Sequence, residues 1–138
     1  MIQIKNAKEL EVMRRACEIS AAALRLGGES IEAGITTADI DKIIYDYIVK
    51  QGAKPNFKGL YGFPGTACIS VNDEVIHGIP SKKKVIRPGD IVSIDTGAAW
   101  GGFNGDNACT FGCGKLDLEA QRLLNVTRES LHRGIRAA

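Results

Sequence analysis

Two aspartates, Asp95 and Asp106, sit in the stretch Ile91-Val-Ser-Ile-Asp-Thr-Gly-Ala-Ala-Trp-Gly-Gly-Phe-Asn-Gly-Asp106, and this segment constrains the fold most. An apolar strand that delivers an acidic side chain exposes that charge to desolvation unless something positive meets it. Gly101-Gly102 fits a two-residue hairpin loop. That loop sets a register in which Trp100 faces Phe103, Asp95 faces Ala108 and Gly97 faces Asp106. Asp95 and Asp106 then share one face as diagonal neighbours, within roughly 8 Å at their Cβ atoms. Two carboxylates converging on one pocket must share a proton or share a cation. A divalent metal site is the better expectation, since residues 91–94 look buried on both faces and an unpaired carboxylate there is costly. A simpler role as turn and cap residues around the hairpin is the alternative. Hard oxygen ligands, mixed with imidazole, suit Mg, Mn, Fe(II), Co(II) or Zn.

At 138 residues the chain is one domain, 1–138, long enough to bury a core. A net charge of +2 argues for neither nucleic acid nor a membrane surface as partner. Charged residues or glycine break every apolar run short of a membrane span. The start, Met-Ile-Gln-Ile-Lys-Asn, is too polar for a signal peptide. Cys17, Cys68, Cys109 and Cys113 are irregularly spaced, which suits reduced thiols in a cytoplasmic protein. The C-x3-C pair of Cys109 and Cys113 lacks the second pair that a zinc site needs.

Leu10, Met13, Cys17, Ala21 and Leu24 recur at helical spacing, predicting a helix over residues 7–26 that Gly27-Gly28 ends. Thr36 and Asp39 make a capping box for a second helix with Ile40, Ile43, Ile44, Tyr47 and Ile48 inward and Gly52 as its stop. The stretch Lys54–Pro64, rich in glycine and aromatics, reads as a loop. Ala67–Val71 reads as a strand, Asn72-Asp73-Glu74 as a turn, and Val75-Ile76-His77 as a short returning strand. Lys82–Lys84 with Arg87 is expected as a solvated connection. Pro88-Gly89-Asp90 is a tight turn feeding a strand that ends at Asp95. Asp117 caps a last helix with Ala120, Leu123, Leu124, Thr127, Leu131 and Ile135 on one side. His77 is either an ordinary loop residue or a proton carrier at a pocket rim; His132 is expected on the surface.

Taken in order, Pro64-Gly-Thr-Ala-Cys68-Ile-Ser-Val-Asn72, Glu74-Val-Ile-His77-Gly-Ile-Pro80, Pro88-Gly-Asp90, Asp95 and Gly102-Phe-Asn-Gly-Asp106 resemble a type I methionine aminopeptidase. The resemblance runs almost the whole chain. It implies an α/β (α+β) fold, half of a pita-bread fold, with an antiparallel sheet and helices packed on one face. In that family two such halves enclose a dinuclear divalent metal centre (Co, Mn, Fe or Zn). By resemblance Asp95 is the chelating and Asp106 the bridging ligand, and His77 touches substrate beside the metals. Phe63 and Cys68 line the methionine pocket, and Leu60 stands where relatives often carry an aromatic.

The implied reaction removes N-terminal methionine from peptides or nascent proteins. The family completes its site with one histidine and two glutamates from the second half, which this sequence lacks. Two ligands of five imply little or no activity for the chain alone, and a missing C-terminal half or a second copy, as a homodimer, would be the partner. Cys109 stands where the family often shows a basic residue. The rival reading is a non-catalytic metal- or peptide-binding half domain. A prolidase-like relative is disfavoured by the His-Gly-Ile-Pro segment.

Overall fold

The computed structural model describes residues 3–138, so the first two residues of the polar start lie outside it. The elements are α1 (Ala7–Glu29), α2 (Thr37–Lys50), β1 (Lys54–Pro55), β2 (Ala67–Val71), β3 (Ile91–Trp100), β4 (Phe103–Gly112) and α3 (Leu118–Ala137). All strands form one antiparallel sheet around β3. β1 and β2 pair successive stretches of one edge of β3, and β4 runs along the other edge. The hairpin register is the expected one: Trp100 opposes Phe103, Asp95 opposes Ala108 and Gly97 opposes Asp106. Gly101 and Gly102 both take positive φ, 58° and 84°, the backbone that a two-residue loop matched to strand twist requires. β3 does not end at Asp95, however. It continues to Trp100, because Thr96, Gly97 and Ala98 are buried and need ladder partners for their backbone groups.

Alternation divides β3 between two faces. Val92, Ile94, Thr96 and Ala98 are all fully buried and look towards α1 and α2, joining Ile19, Ala23, Ile40, Ile44, Ile48 and Ile69 in the core. Ser93, Asp95 and Gly97 look the other way, as do Cys68 and Ser70 of β2 and Asp106, Ala108 and Thr110 of β4 by their pairing. The Ser93 and Thr110 hydroxyls meet on that side at 2.8 Å. This is the expected mixed fold, with an antiparallel sheet covered by α1 and α2 on one face.

Both early helices are started by capping boxes: Asn6 with Glu9 for α1, Thr36 with Asp39 for α2. Gly52, at φ 72°, ends α2 as expected. In α1 the expectation fails twice. The helix runs through Gly27-Gly28 to Glu29, and its buried seam is Ala16, Ile19, Ser20, Ala23, Leu24 and Gly27, while Leu10 is half exposed. The seam is built from small residues, which hydrophobicity alone undervalues, and they let the helix lie close to its neighbours. A Cβ on Gly27 would come within 2.8 Å of Ile44, one on Gly28 within 2.2 Å of the Phe111 ring, and one on Gly105 within 2.3 Å of the Ala16 carbonyl oxygen. Close packing outweighs the roughly 1 kcal/mol that each helical glycine costs. Ser20 adds a buried hydrogen bond, its hydroxyl donating to the Thr96 carbonyl at 2.8 Å.

Residues 75–77 form no strand, which corrects the expected hairpin with β2. Only isolated bonds tie that segment to β2, for reasons described below. α3 forms behind the Asp117 cap as expected, but its apolar side is not packed into the core. No residue of α3 is buried, and Leu123, Leu131 and Ile135 are more than half exposed. Leu124 and Leu131 line one wall of a cavity of about 490 Å³, whose other wall is the open sheet face with Val75 and Ile76. Among the described residues no helix is long and apolar enough to cross a membrane.

Replacing Gly105 with alanine forces α1 off the sheet. Overpacking of this kind destabilises by about 1–3 kcal/mol, so the urea unfolding midpoint of Gly105→Ala should fall with an unchanged slope. Replacing Gly34 (φ 99°, nothing within reach of a Cβ) should cost only the strain of its backbone.

Candidate metal and peptide site

The open face of the sheet carries two carboxylates where the hairpin register places them. Asp95 and Asp106 come within hydrogen-bonding reach of each other, and Asp95 is pushed above the ordinary carboxylate value of 3.8. Burial is the main cause. The negative charge of Asp106 and the hydrogen bond to it act in the same direction, and His77 opposes them. Removing charged oxygens from water beside a like charge favours a shared proton unless a cation intervenes.

The two carboxylates lie at the floor of a second cavity of about 570 Å³. Phe57, Leu60, Phe63 and Pro64 form one wall, Cys68 and His77 another, and Ile79 the rim. The structure therefore brings together every residue singled out in the sequence: Leu60, Phe63, Cys68, His77, Asp95 and Asp106. His132 is exposed on α3, as expected. Cys68 stands directly across from Asp95 in the β2–β3 pairing. Its thiol is pushed up to about 11, first by burial and then by the charges of Asp95, Asp106 and Asp41. It stays protonated, so it serves as an apolar wall and not as a thiolate. All four cysteines are free.

His77 is held in an unusual way. Its φ is 58°, left-handed backbone that costs a residue with a Cβ roughly 1 kcal/mol. The next residue explains why the chain accepts it. The Ile69 N–H donates to the Gly78 carbonyl at 2.8 Å, and the Gly78 N–H donates to the Ser70 hydroxyl at 3.0 Å. Gly78 lies so close to β2 that a Cβ would fall 2.2 Å from the Ile69 carbonyl oxygen. Upstream, Glu74 accepts from the Val71 N–H at 2.8 Å and pairs with the half-buried Lys84. Lys84 is thus not part of a fully solvated connection, and it holds Glu74 below its ordinary value. Sequence reasoning missed Ser70 and Glu74. Strand alternation could have found Ser70, two residues past Cys68 on the same face.

Among the described residues, no three His, Cys, Asp or Glu side chains converge closely enough to hold a metal ion. The chemistry of the donors nonetheless fits a divalent ion, as one side of its shell. Two hard oxygen ligands repel each other when both are charged, and a cation between them removes that repulsion.

Residues 11–138 match the model of metallopeptidase family M24. The methionine aminopeptidase of Clostridium perfringens is 48% identical over 138 residues, covering 100% of this chain and 55% of that protein. Methionine aminopeptidase 1 of Bacillus subtilis is 44% identical with the same coverage. The crystal structure of the methionine aminopeptidase from Thermotoga maritima superimposes with a TM-score of 0.93 at 42% identity, over 96% of this chain and 53% of that one. The prolidase from Pyrococcus furiosus reaches 0.79 at 26% identity, over 91% and 36%. The chain thus spans about half the length of the methionine aminopeptidases it matches. With its half-open sheet and paired carboxylates, it belongs to metallopeptidase family M24.

Proposed function

We propose that this chain supplies one wall of a methionine aminopeptidase site: two of its metal-binding carboxylates, the pocket for the methionine side chain, and a histidine at the scissile bond. One observation carries the reading. The Asp95–Asp106 pair forms the floor of an apolar cavity whose walls include Phe63, Leu60, Cys68 and His77. A charged site beneath an aromatic pocket suits a substrate with an apolar first side chain and a polar backbone next to it.

In this reading Asp95 and Asp106 hold the divalent ions, which when bound would polarise the first peptide carbonyl and activate water. The aromatic wall orients the methionine side chain and excludes solvent around it. His77, fixed through Gly78, hydrogen-bonds the substrate amide or carbonyl. Substrates are peptides or nascent proteins that begin with unmodified methionine followed by a small residue. Two carboxylates are too few for the full metal shell and include no general base, so residues outside these 138, in a complementary half or a second copy, complete the site. Alone, the chain has little or no turnover. The apolar lining of the cavity would also serve a second reading, in which the half domain binds a metal or a peptide without cleaving it.

Hydrolysis of a Met-Ala-Ser peptide by the purified chain with added Co(II) or Mn(II), a chelator control and the mass measured in the same buffer separates these readings. Little methionine release and weak metal binding are expected. Efficient, chelator-sensitive release by a monomer would overturn the half-site reading. Asp106→Asn should remove detectable metal binding, and equal affinity in variant and parent would refute the ligand assignment.

The metal-free chain also has a pH signature. Asp95 holds its proton more tightly folded than unfolded, so the folded state binds more protons between 3.8 and the raised value. Its contribution to stability is therefore lost as pH rises through that window. Asp106→Asn removes the neighbouring like charge. It should flatten this loss and melt a few degrees higher at neutral pH; thermal melts of both proteins from pH 3 to pH 8 check it, and parallel curves would refute it.

A further inference from the structure

The aromatic wall of the cavity belongs to no strand or long helix, so something must set its distance from the carboxylates. Between Phe57 and Phe63 the chain bonds mainly to itself. Gly59 N–H donates to the Phe63 carbonyl at 2.8 Å, Leu60 N–H to Phe57 at 3.0 Å, and Phe63 N–H to Leu60 at 2.9 Å. Gly59, Tyr61 and Gly62 all take left-handed backbone. Such a self-closed loop moves as a unit, and its two feet determine how it stands.

The first foot is tied to β3, where the Asn56 N–H donates to the Gly97 carbonyl at 3.0 Å, and both feet also touch α2. At the first, the Lys58 ammonium lies 4.2 Å from the centre of the Tyr45 ring. At the second, one oxygen of Asp41 accepts from the backbone N–H groups of Thr66 at 2.7 Å and Ala67 at 2.8 Å. Asp41 and Tyr45 are four residues apart and so share a side of the helix. Among the described residues Asp41 makes no ion pair within 4.0 Å, although Lys58 is near enough to favour its charge. Its carboxyl is raised above the ordinary value chiefly by burial, against the pull of the two amides. A half-buried carboxylate turned onto two amides of a strand start is an expensive way to cap a strand. It sits where the loop passes into β2, one residue before Cys68, which faces Asp95.

We infer that Asp41 is a positioning residue for the substrate pocket: by gripping the Thr66 and Ala67 amides it fixes how far the Phe57–Phe63 wall stands from the Asp95–Asp106 floor, and so the length of side chain the pocket accepts. The inference rests on the pocket assignment proposed above. Asp41 touches neither substrate nor the reacting atoms, and it acts through the loop.

The test compares the full 138-residue chain with Asp41→Ala, Asp41→Asn and the α2 surface control Asp46→Ala. Methionine amide and alanine amide are titrated by NMR with and without Zn(II), and amide hydrogen exchange is followed at Thr66 and Ala67. Asp41→Ala should weaken methionine amide about tenfold, the scale of one charge-assisted hydrogen bond lost. It should leave alanine amide and Zn(II) binding unchanged and speed exchange at both amides. Asp41→Asn, which keeps an acceptor oxygen, should recover most of the affinity, and Asp46→Ala should match the parent. Equal methionine amide affinity in Asp41→Ala and parent overturns the inference. So does equal weakening of both amides without rescue by asparagine, since that marks a general loss of structure. If the parent itself fails to prefer methionine amide, the pocket assignment fails, and the positioning role falls with it. Unchanged exchange at Thr66 and Ala67 in Asp41→Ala would independently remove the anchor.

Discussion

The two-residue alternation of β3 is the constraint on which everything else rests. One side of this strand, Val92, Ile94, Thr96 and Ala98, is the floor of the core, and the other, Ser93, Asp95 and Gly97, is the floor of the site. A slip of one residue would exchange them and put Asp95 among isoleucines. The register is held from both edges, by β1 and β2 on one and by β4 through the Gly101-Gly102 loop on the other. The energy that excludes water from the core therefore also brings two like charges together on the opposite face.

The parts of the site that would meet a substrate are built differently. His77 and the aromatic wall lie in irregular chain, each fastened to the sheet or to α2 by a few individual bonds. A left-handed histidine persists because Gly78 is pressed onto Ile69 and leaves the preceding residue few alternatives. The carboxylates are placed by a ladder, and the recognition elements by individual contacts. These two modes of support have different sensitivities to substitution: single polar changes disturb the second and hardly touch the first.

Much of this was legible in the sequence, and the reasons are physical. The glycine pair and the alternation around Asp95 fixed the carboxylate geometry, since hairpin loops of two residues allow little choice of register. The capping box at Thr36 and Asp39 and the strand at Ala67–Val71 follow from local chemistry. The seam of α1 was not legible, because Ala16, Ser20 and Gly27 are buried for their smallness and an apolar count passes over them. Residues 75–77 look like a strand by composition, yet the close approach of Gly78 to β2 bends them out of a ladder. Asp41 and Glu74 gave no local signal, because their partners lie in segments the sequence leaves without regular structure. The apolar stripe of α3 is real, but periodicity alone could not say that it would face a cavity.

The glycines that bring α1 against the sheet also decide where motion can occur. Gly28 and Gly105 press α1 and β4 together and Gly27 packs on Ile44 of α2, which leaves the helix little room to slide or roll. The layer beneath the carboxylates therefore behaves as a stiff plate. Adjustment to a bound molecule falls on the two suspended segments, 57–66 and 74–81, whose few attachments set a low threshold for local opening. Breathing of the cavity is then a matter of its sides moving over a fixed base, and backbone relaxation on the slower timescales should be concentrated in those segments and quiet in β3.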